Sequence, residues 1–273
     1  MPLTLCGSLS LHPVSLGAAM HTAGYRALGL PWVYMPFSMT SERLAGALTG
    51  MRALGIRGLG VSMPFKLEVI PLLDRQSDLV RQIGACNTIV NDDGVLHGHN
   101  TDADGAARAL EEVVGALSGA RCLVLGAGGA ARAVVFGLSA RGARVSVANR
   151  SASKAVSLAQ AAGATAVDFE SATTSPGPFD VVVNATSGGM DQGEHSARLP
   201  LDPGAIPPGA VVMDIVYKPI ETALLAAARA RGARVIHGGR MLLHQAARQL
   251  ELYTGVDAPL SAMDDALTAA MLP

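Results

Sequence analysis

Two polar stations in the first hundred residues have the composition of a reactive site. Ser62-Met63-Pro64-Phe65-Lys66 closes the strand-like run Gly58–Ser62. A proline at the start of a short helix fixes the chain direction there. Lys66 should then project near the carboxyl ends of the strands, where ligands of α/β sheets bind. A lysine amine so placed can take a proton from a hydroxyl group and return it. The second station is Ala85-Cys86-Asn87-Thr88 together with His99-Asn100-Thr101-Asp102, two polar stretches on either side of a hairpin. Taken singly, Asn87 is compatible with a turn and Asp102 with a helix cap. Taken together, Lys66, Asn87 and Asp102 are expected to converge at one end of one sheet.

A third constellation is Gly126-Ala127-Gly128-Gly129-Ala130-Ala131, which fits G-x-G-x-x-A. It follows an apolar strand and opens a helix. Gly126 permits the tight turn, Gly128 lets a pyrophosphate approach the backbone, and Ala131 lets helix and strand pack closely. Free N–H groups at the helix start add partial positive charge. Similar turns serve S-adenosylmethionine, so the end of the next strand decides. An acid there would bind ribose hydroxyls. This chain has Asn149-Arg150-Ser151 and then Lys154. Solvated charges opening a helix are the ordinary reading. Cations at a helix N-terminus oppose its dipole, however, and Arg and Lys suit a 2′-phosphate. NADP is therefore the expected cofactor.

The elements that must hold these residues fall into two regions. Through residue 101 the pattern reads strand Leu3–Leu9, helix Ser15–Leu28, strand Trp32–Phe37, helix Ser41–Leu54, strand Gly58–Ser62, then strands Cys86–Val90 and Val95–His99 joined by Asn91-Asp92-Asp93-Gly94. A hairpin after βα units implies a mixed sheet. From residue 102 the rhythm is helix Asp102–Val114, strand Arg121–Leu125, helix Gly129–Ala140, strand Arg144–Ala148, helix Ala152–Ala162, and the buried runs Val181–Asn184 and Val211–Ile215. This alternation predicts a Rossmann-type, doubly wound parallel sheet. Loops are expected over Ser171–Pro178 and Gly188–Pro208, and two helices, 239–254 and 261–271, close the chain. The expected division is 1–101, then 102–238 as an NADP-binding domain, then the closing helices within 239–273.

Composition narrows the class. The 273 residues are 49% hydrophobic and 16% charged, which excludes a disordered chain. A net charge of −1 argues against a general nucleic-acid binder. Cys6, Cys86 and Cys122 lie far apart and suggest neither a disulfide framework nor a zinc pattern. His97, His99 and His244 lack ligand spacing, so no metal is expected. The first cationic side chain is Arg26, and a soluble, unprocessed, cytoplasmic monomer or homodimer is the expectation.

Block by block, the chain resembles the shikimate dehydrogenase family over nearly its whole length. The matching segments are V-S-M-P-F-K (61–66), A-C-N-T-I-V (85–90), H-N-T-D (99–102), G-A-G-G-A-A-R (126–132), N-R-S (149–151), N-A-T-S-G-G-M (184–190), D-I-V-Y (214–217) and M-L-L-H-Q-A (241–246). The resemblance implies that 1–101 is a substrate-binding catalytic domain onto which 239–273 pack back, and that Lys66 and Asp102 form the catalytic pair. It implies that Ser15, Ser62, Asn87, Tyr217 and Gln245 contact substrate. It places Gly126, Ala127, Gly128, Gly129, Ala130, Ala131, Asn149, Arg150, Ser151, Lys154, Thr186 and Gly238 around NADP. The implied reaction is reversible hydride transfer between NADP(H) and a secondary alcohol or ketone of a cyclic polyhydroxy carboxylate, shikimate or a close analogue.

Two departures stand out. The family's Ser-x-Ser-Pro is here Pro13-Val14-Ser15-Leu16, and the Asn two residues before Ser62 is Gly60. Each lost hydrogen bond to a carboxylate is worth ~1.5–3 kcal/mol. The pattern is similar to the divergent shikimate dehydrogenase-like subgroup; shikimate is expected to be handled with a raised KM, and Pro13→Ser with Gly60→Asn is expected to lower it. A folate-linked NADP dehydrogenase and a non-catalytic NADP-binding regulator are the competing readings.

Overall fold

The computed structural model describes residues 3–175, 177–186 and 199–272. The chain divides into two compact units, Met1–Thr101 with Gln245–Pro273, and Asp102–His244. In chain order the first region holds β1 (Thr4–Ser10), α1 (Leu16–Ala27), β2 (Trp32–Ser38), α2 (Leu44–Ala53), β3 (Gly58–Val61), α3 (Phe65–Glu68), β4 (Arg75–Gln76), α4 (Asp78–Ile83), β5 (Thr88–Asp92) and β6 (Val95–His99). The second holds α5 (Asp102–Val114), β7 (Arg121–Leu125), α6 (Gly129–Ala140), β8 (Arg144–Ala148), α7 (Ala152–Ala162), β9 (Thr165–Ala166), α8 (Phe169–Thr174), β10 (Val181–Asn184), β11 (Val211–Asp214), α9 (Ala223–Ala230) and β12 (Arg234–His237). Two helices follow, α10 (Gly238–Thr254) and α11 (Leu260–Met271). The C-terminal boundary between units falls inside α10, between His244 and Gln245.

The first unit is built on a six-stranded sheet of order β2-β1-β3-β5-β6-β4. β1 runs parallel to β2 and β3, whereas β5 is antiparallel to both β3 and β6. The mixed sheet expected from the hairpin is present. Its turn at Asp93-Gly94 has positive φ at both residues, 50° and 90°, the backbone that two-residue hairpins favour. Leu48, Met51, Leu59, Val61, Phe65 and Ile89 are among the side chains that fill one core of this unit. α1 and α11 pack together, with Gly24 facing Leu250 and Met263.

The second unit is an all-parallel sheet, β12-β11-β10-β7-β8-β9, with the strand order switching between β7 and β10. Val181–Val183 and Val211–Met213 are fully buried on this sheet, as unbroken apolar runs in a two-sided parallel sheet should be. Three local expectations change. The segment expected to be helical from Ser41 opens as a 3-10 turn, Ser41–Arg43, before α2. Part of the loop expected from Ser171 is helix, because the Asp168 carboxylate accepts the Ser171 N–H at 2.8 Å and caps α8. The Gly188–Pro208 loop lies largely outside the described residues, and a 3-10 turn, Pro203–Ala205, is what it shows. No described helix is long and apolar enough to cross a membrane.

Candidate active site

Backbone hydrogen bonds gather the polar stations of the first unit. The Ser62 N–H donates to the Leu9 carbonyl, and the Val61 N–H to the Asn87 carbonyl at 2.7 Å. The Cys86 N–H donates to the Lys66 carbonyl at 2.8 Å, which ties the α3 turn to the residue before Asn87. The Asn87 N–H reaches the His99 carbonyl. Lys66 is half-buried on α3, with Phe65 fully buried beneath the turn. Ser62 is exposed, and Ser15 is exposed at the N-cap of α1 without a side-chain capping bond.

The Asn87 side chain is the centre of this cluster and is 1% exposed. Its Oδ1 accepts the Thr101 N–H at 2.7 Å and the Thr88 hydroxyl at 2.8 Å. Its Nδ2 donates to Thr101 Oγ1 at 3.0 Å and to Gln245 Oε1 at 3.2 Å. Gln245, far along the chain on α10, therefore meets Asn87. Asp102 follows Thr101 directly and starts α5; it is 6% exposed.

Sequence reasoning missed the layer behind Asn87. Gln249, one helical turn after Gln245, donates its Nε2 to Thr88 Oγ1 at 3.1 Å and to the Asn87 carbonyl at 3.3 Å. His21 Nε2 lies 3.3 Å from Gln249 Oε1, and the His21 ring stacks on Tyr34 at 4.2 Å. The i, i+4 repeat of Gln245 and Gln249 was the available signal. This layer also bears on position 60. A Cβ on Gly60 would sit 3.1 Å from the Tyr34 hydroxyl and 3.3 Å from Gln249 Nε2. Both are tighter than ordinary van der Waals contact, so a side chain there needs these two neighbours to give by a few tenths of an ångström.

In the second unit the glycine turn has the geometry of a phosphate cradle. Gly126 takes φ +117°, and a Cβ there would meet the Ala185 carbonyl oxygen at 2.8 Å. A Cβ on Gly128 or Gly129 would point into open space, the room that a ligand against the α6 N-terminus needs. Ala127 and Ala130 are half-buried and Ala131 is fully buried. Arg150 and Lys154 are exposed around the start of α7. Asn149 Nδ2 donates to the Ser151 carbonyl, and the Ser151 hydroxyl lies 3.1 Å from that of Ser153. Thr186 donates its N–H and hydroxyl to Asn184 Oδ1 at 3.1 and 2.7 Å. Asn184 in turn donates to the fully buried Asp214, whose carboxyl burial pushes above its usual range. Gly238 is required by packing, since a Cβ would overlap the Ile215 carbonyl oxygen at 2.2 Å. Tyr217 is 36% exposed. Among the described residues no group of three or more His, Cys, Asp or Glu could hold a metal ion.

Comparison with known proteins decides the family. Residues 12–89 match the shikimate dehydrogenase substrate binding domain, 108–191 the shikimate / quinate 5-dehydrogenase domain, and 238–268 the shikimate 5′-dehydrogenase C-terminal domain. A shikimate dehydrogenase (NADP(+)) from Moorella thermoacetica is 44% identical over 271 residues, covering 95% of this chain and 91% of its relative. The chain belongs to the shikimate dehydrogenase family. Among solved structures of similar fold, the Thermus thermophilus shikimate 5-dehydrogenase in complex with NADP(H) and shikimate superposes with a TM-score of 0.88. It is 37% identical, over 98% of this chain and 99% of that one. A ligand-free 5-ketofructose reductase from Gluconobacter gives 0.90 at 32% identity, over 98% and 99%. The fold class expected from the sequence is that of the family, two α/β domains with one mixed and one parallel sheet.

Proposed function

We propose that this protein is an NADP-dependent oxidoreductase that interconverts shikimate and 3-dehydroshikimate. The observation that carries the reading is the Asn87 cluster, in which one polar side chain is bonded to Gln245 and tied through Cys86 to the Lys66 turn. That is a fixed set of donors and acceptors suited to a polyhydroxy ring, with a proton-transferring amine on the adjoining turn. Family membership and the names of the NADP-dependent relatives support the same reading.

NADP+, when bound, supplies the hydride acceptor. Gly126, Ala127, Gly128, Gly129, Ala130 and Ala131 form the turn that would hold its pyrophosphate, and Arg150 and Lys154, with Asn149 and Ser151, would neutralise and bond its 2′-phosphate. Thr186 and Gly238 line the remaining part of the cofactor site in this reading. Lys66 takes the hydroxyl proton as the carbinol carbon is oxidised and returns it in the reverse direction. Asp102 is the second member of the catalytic pair by family resemblance. Asn87, Gln245, Ser62, Ser15 and Tyr217 bind and orient the substrate. The first unit serves substrate binding and the second the cofactor. The protein acts in the cytoplasm on a small molecule, as a monomer or homodimer, with no nucleic-acid partner.

A neutral polyhydroxy ketone is the second reading. Gly60 and Pro13 supply no side-chain donor for a carboxylate, and the likeness to the 5-ketofructose reductase is close. Initial rates with NADP+ on shikimate, quinate and aminoshikimate, and with NADPH on 3-dehydroshikimate and 5-ketofructose, separate the two. The proposal expects kcat/KM to be highest for the shikimate couple; a preference for the neutral ketose contradicts it.

A further inference from the structure

We infer that Gln249 is a positioning residue for the substrate site, setting which face of the Asn87 carboxamide is offered to the ligand. The role rests on the substrate reading above. It follows from the direction of four hydrogen bonds. Gln249 Nε2 points at two oxygens, Thr88 Oγ1 and the Asn87 carbonyl. A carboxamide nitrogen can only donate, so Gln249 Oε1 is left as acceptor for His21 Nε2. His21 is fully buried, and burial pulls its pKa down to about 4 although Gln249 opposes the shift. The neutral ring must therefore carry its proton on Nε2. The remaining nitrogen, Nδ1, is buried without a hydrogen-bond partner among the described residues, which fits its being the deprotonated one.

The chain continues in the same sense. With one lone pair of Thr88 Oγ1 occupied by Gln249, its hydroxyl proton is directed to Asn87 Oδ1 at 2.8 Å. The Thr101 N–H, at 2.7 Å, also requires an oxygen at that place. Asn87 Nδ2 is thereby turned toward Gln245 Oε1 and Thr101 Oγ1. Both Nδ2 protons are engaged there, so Asn87 donates to a ligand hydroxyl or carbonyl oxygen when that oxygen replaces Gln245 Oε1 as the acceptor. Gln249 and Gln245 share one face of α10, so a single helix carries both a ligand-binding amide and the amide that steadies its partner. Gly60 eases this approach, because a Cβ there would stand 3.3 Å from Gln249 Nε2 and 3.5 Å from its Oε1.

Gln249→Met, which keeps volume and removes the hydrogen bonds, and Gln249→Ala test the role in the full-length enzyme. KM for shikimate should rise about tenfold in both, the equivalent of one hydrogen bond's ~1.4 kcal/mol. The Kd of NADP+ should stay within about twofold. A purely structural residue would lower the active fraction, and so the apparent kcat, while leaving KM in place. Unchanged KM in an active variant overturns the role. Should neither variant fold, Thr88→Val breaks the same chain from the strand side: a tenfold rise in KM supports the role and an unmoved KM overturns it. Wild-type enzyme that turns over no shikimate removes the substrate reading and this role together; wild-type turnover with KM unmoved in the variants removes the role alone.

Discussion

Acid should destabilise the first unit by charging an imidazole that has no room for a charge. His21 is fully buried, stacked on Tyr34 and close to the rings of Tyr25 and Tyr253. Its pKa drops from 6.5 to about 4, chiefly through burial. Between those values the unfolded chain binds a proton that the folded chain refuses. The stabilisation is therefore complete above pH 6.5 and is lost as pH falls toward 4. The gap corresponds to about 3 kcal/mol in full, of which about 2 kcal/mol is gone by pH 5. His21→Phe keeps a ring for Tyr34 to stack on and cannot titrate. The chain's single tryptophan, Trp32, lies in β2 beside Tyr25, at 5.4 Å between ring centroids, and reports on this unit. Urea unfolding followed by its fluorescence gives the stability of wild type and variant at pH 7.5 and pH 5. The other histidines titrate in both proteins and cancel in the comparison. The stability difference between the two proteins should shift by about 2 kcal/mol against the wild type at pH 5. A difference that stays constant across that range would show that His21 is not held neutral.

Other perturbations test the remaining parts. Arg150→Ala should weaken NADP+ binding by about tenfold or more, the scale of one charge-assisted hydrogen bond, with NAD+ nearly unaffected in the same titration; equal losses would remove the 2′-phosphate assignment. Lys66→Ala should lower kcat about 10²–10⁴-fold while leaving the Kd of NADP+ in place, and near-normal turnover would end its role as acid/base. Asp214→Ala should strand three donors, Asn184 Nδ2, the Val216 N–H and the Thr222 hydroxyl, bonded at 3.0, 3.1 and 2.7 Å. At about 1 kcal/mol or more apiece, the loss should lower Tm by roughly 10 °C; a shift of a degree or two in a thermal scan would mean that the buried carboxylate contributes little.

Much of the fold is legible because punctuation and burial coincide. Gly126 marks the turn between β7 and α6, Asn91-Asp92-Asp93-Gly94 marks the hairpin, and the valine runs 181–183 and 211–212 mark strands covered on both faces. The two-residue strands at Arg75–Gln76 and Thr165–Ala166 have no such pattern, since they gain pairing from a neighbour rather than from their own side chains. α8 was hidden by its Ser-Thr content, and its stability comes from the Asp168 cap. Lys66, Asn87 and Gln245 are readable as motifs. Their support is not, because His21 and Gln249 are 228 residues apart and meet through tertiary packing. Gly60 shows the limit most clearly. In sequence it is a missing donor; in the fold it is also a position against which Tyr34 and Gln249 pack closely.

The central claim is that this chain oxidises shikimate with NADP+. Absorbance at 340 nm after adding shikimate to the purified protein and NADP+ tests it most directly. The account predicts a steady rise that saturates with shikimate, is far slower with NAD+, and falls at least a hundredfold in Lys66→Ala. A flat trace with wild-type protein that still binds NADP+, or a rise of equal rate in Lys66→Ala, would contradict it.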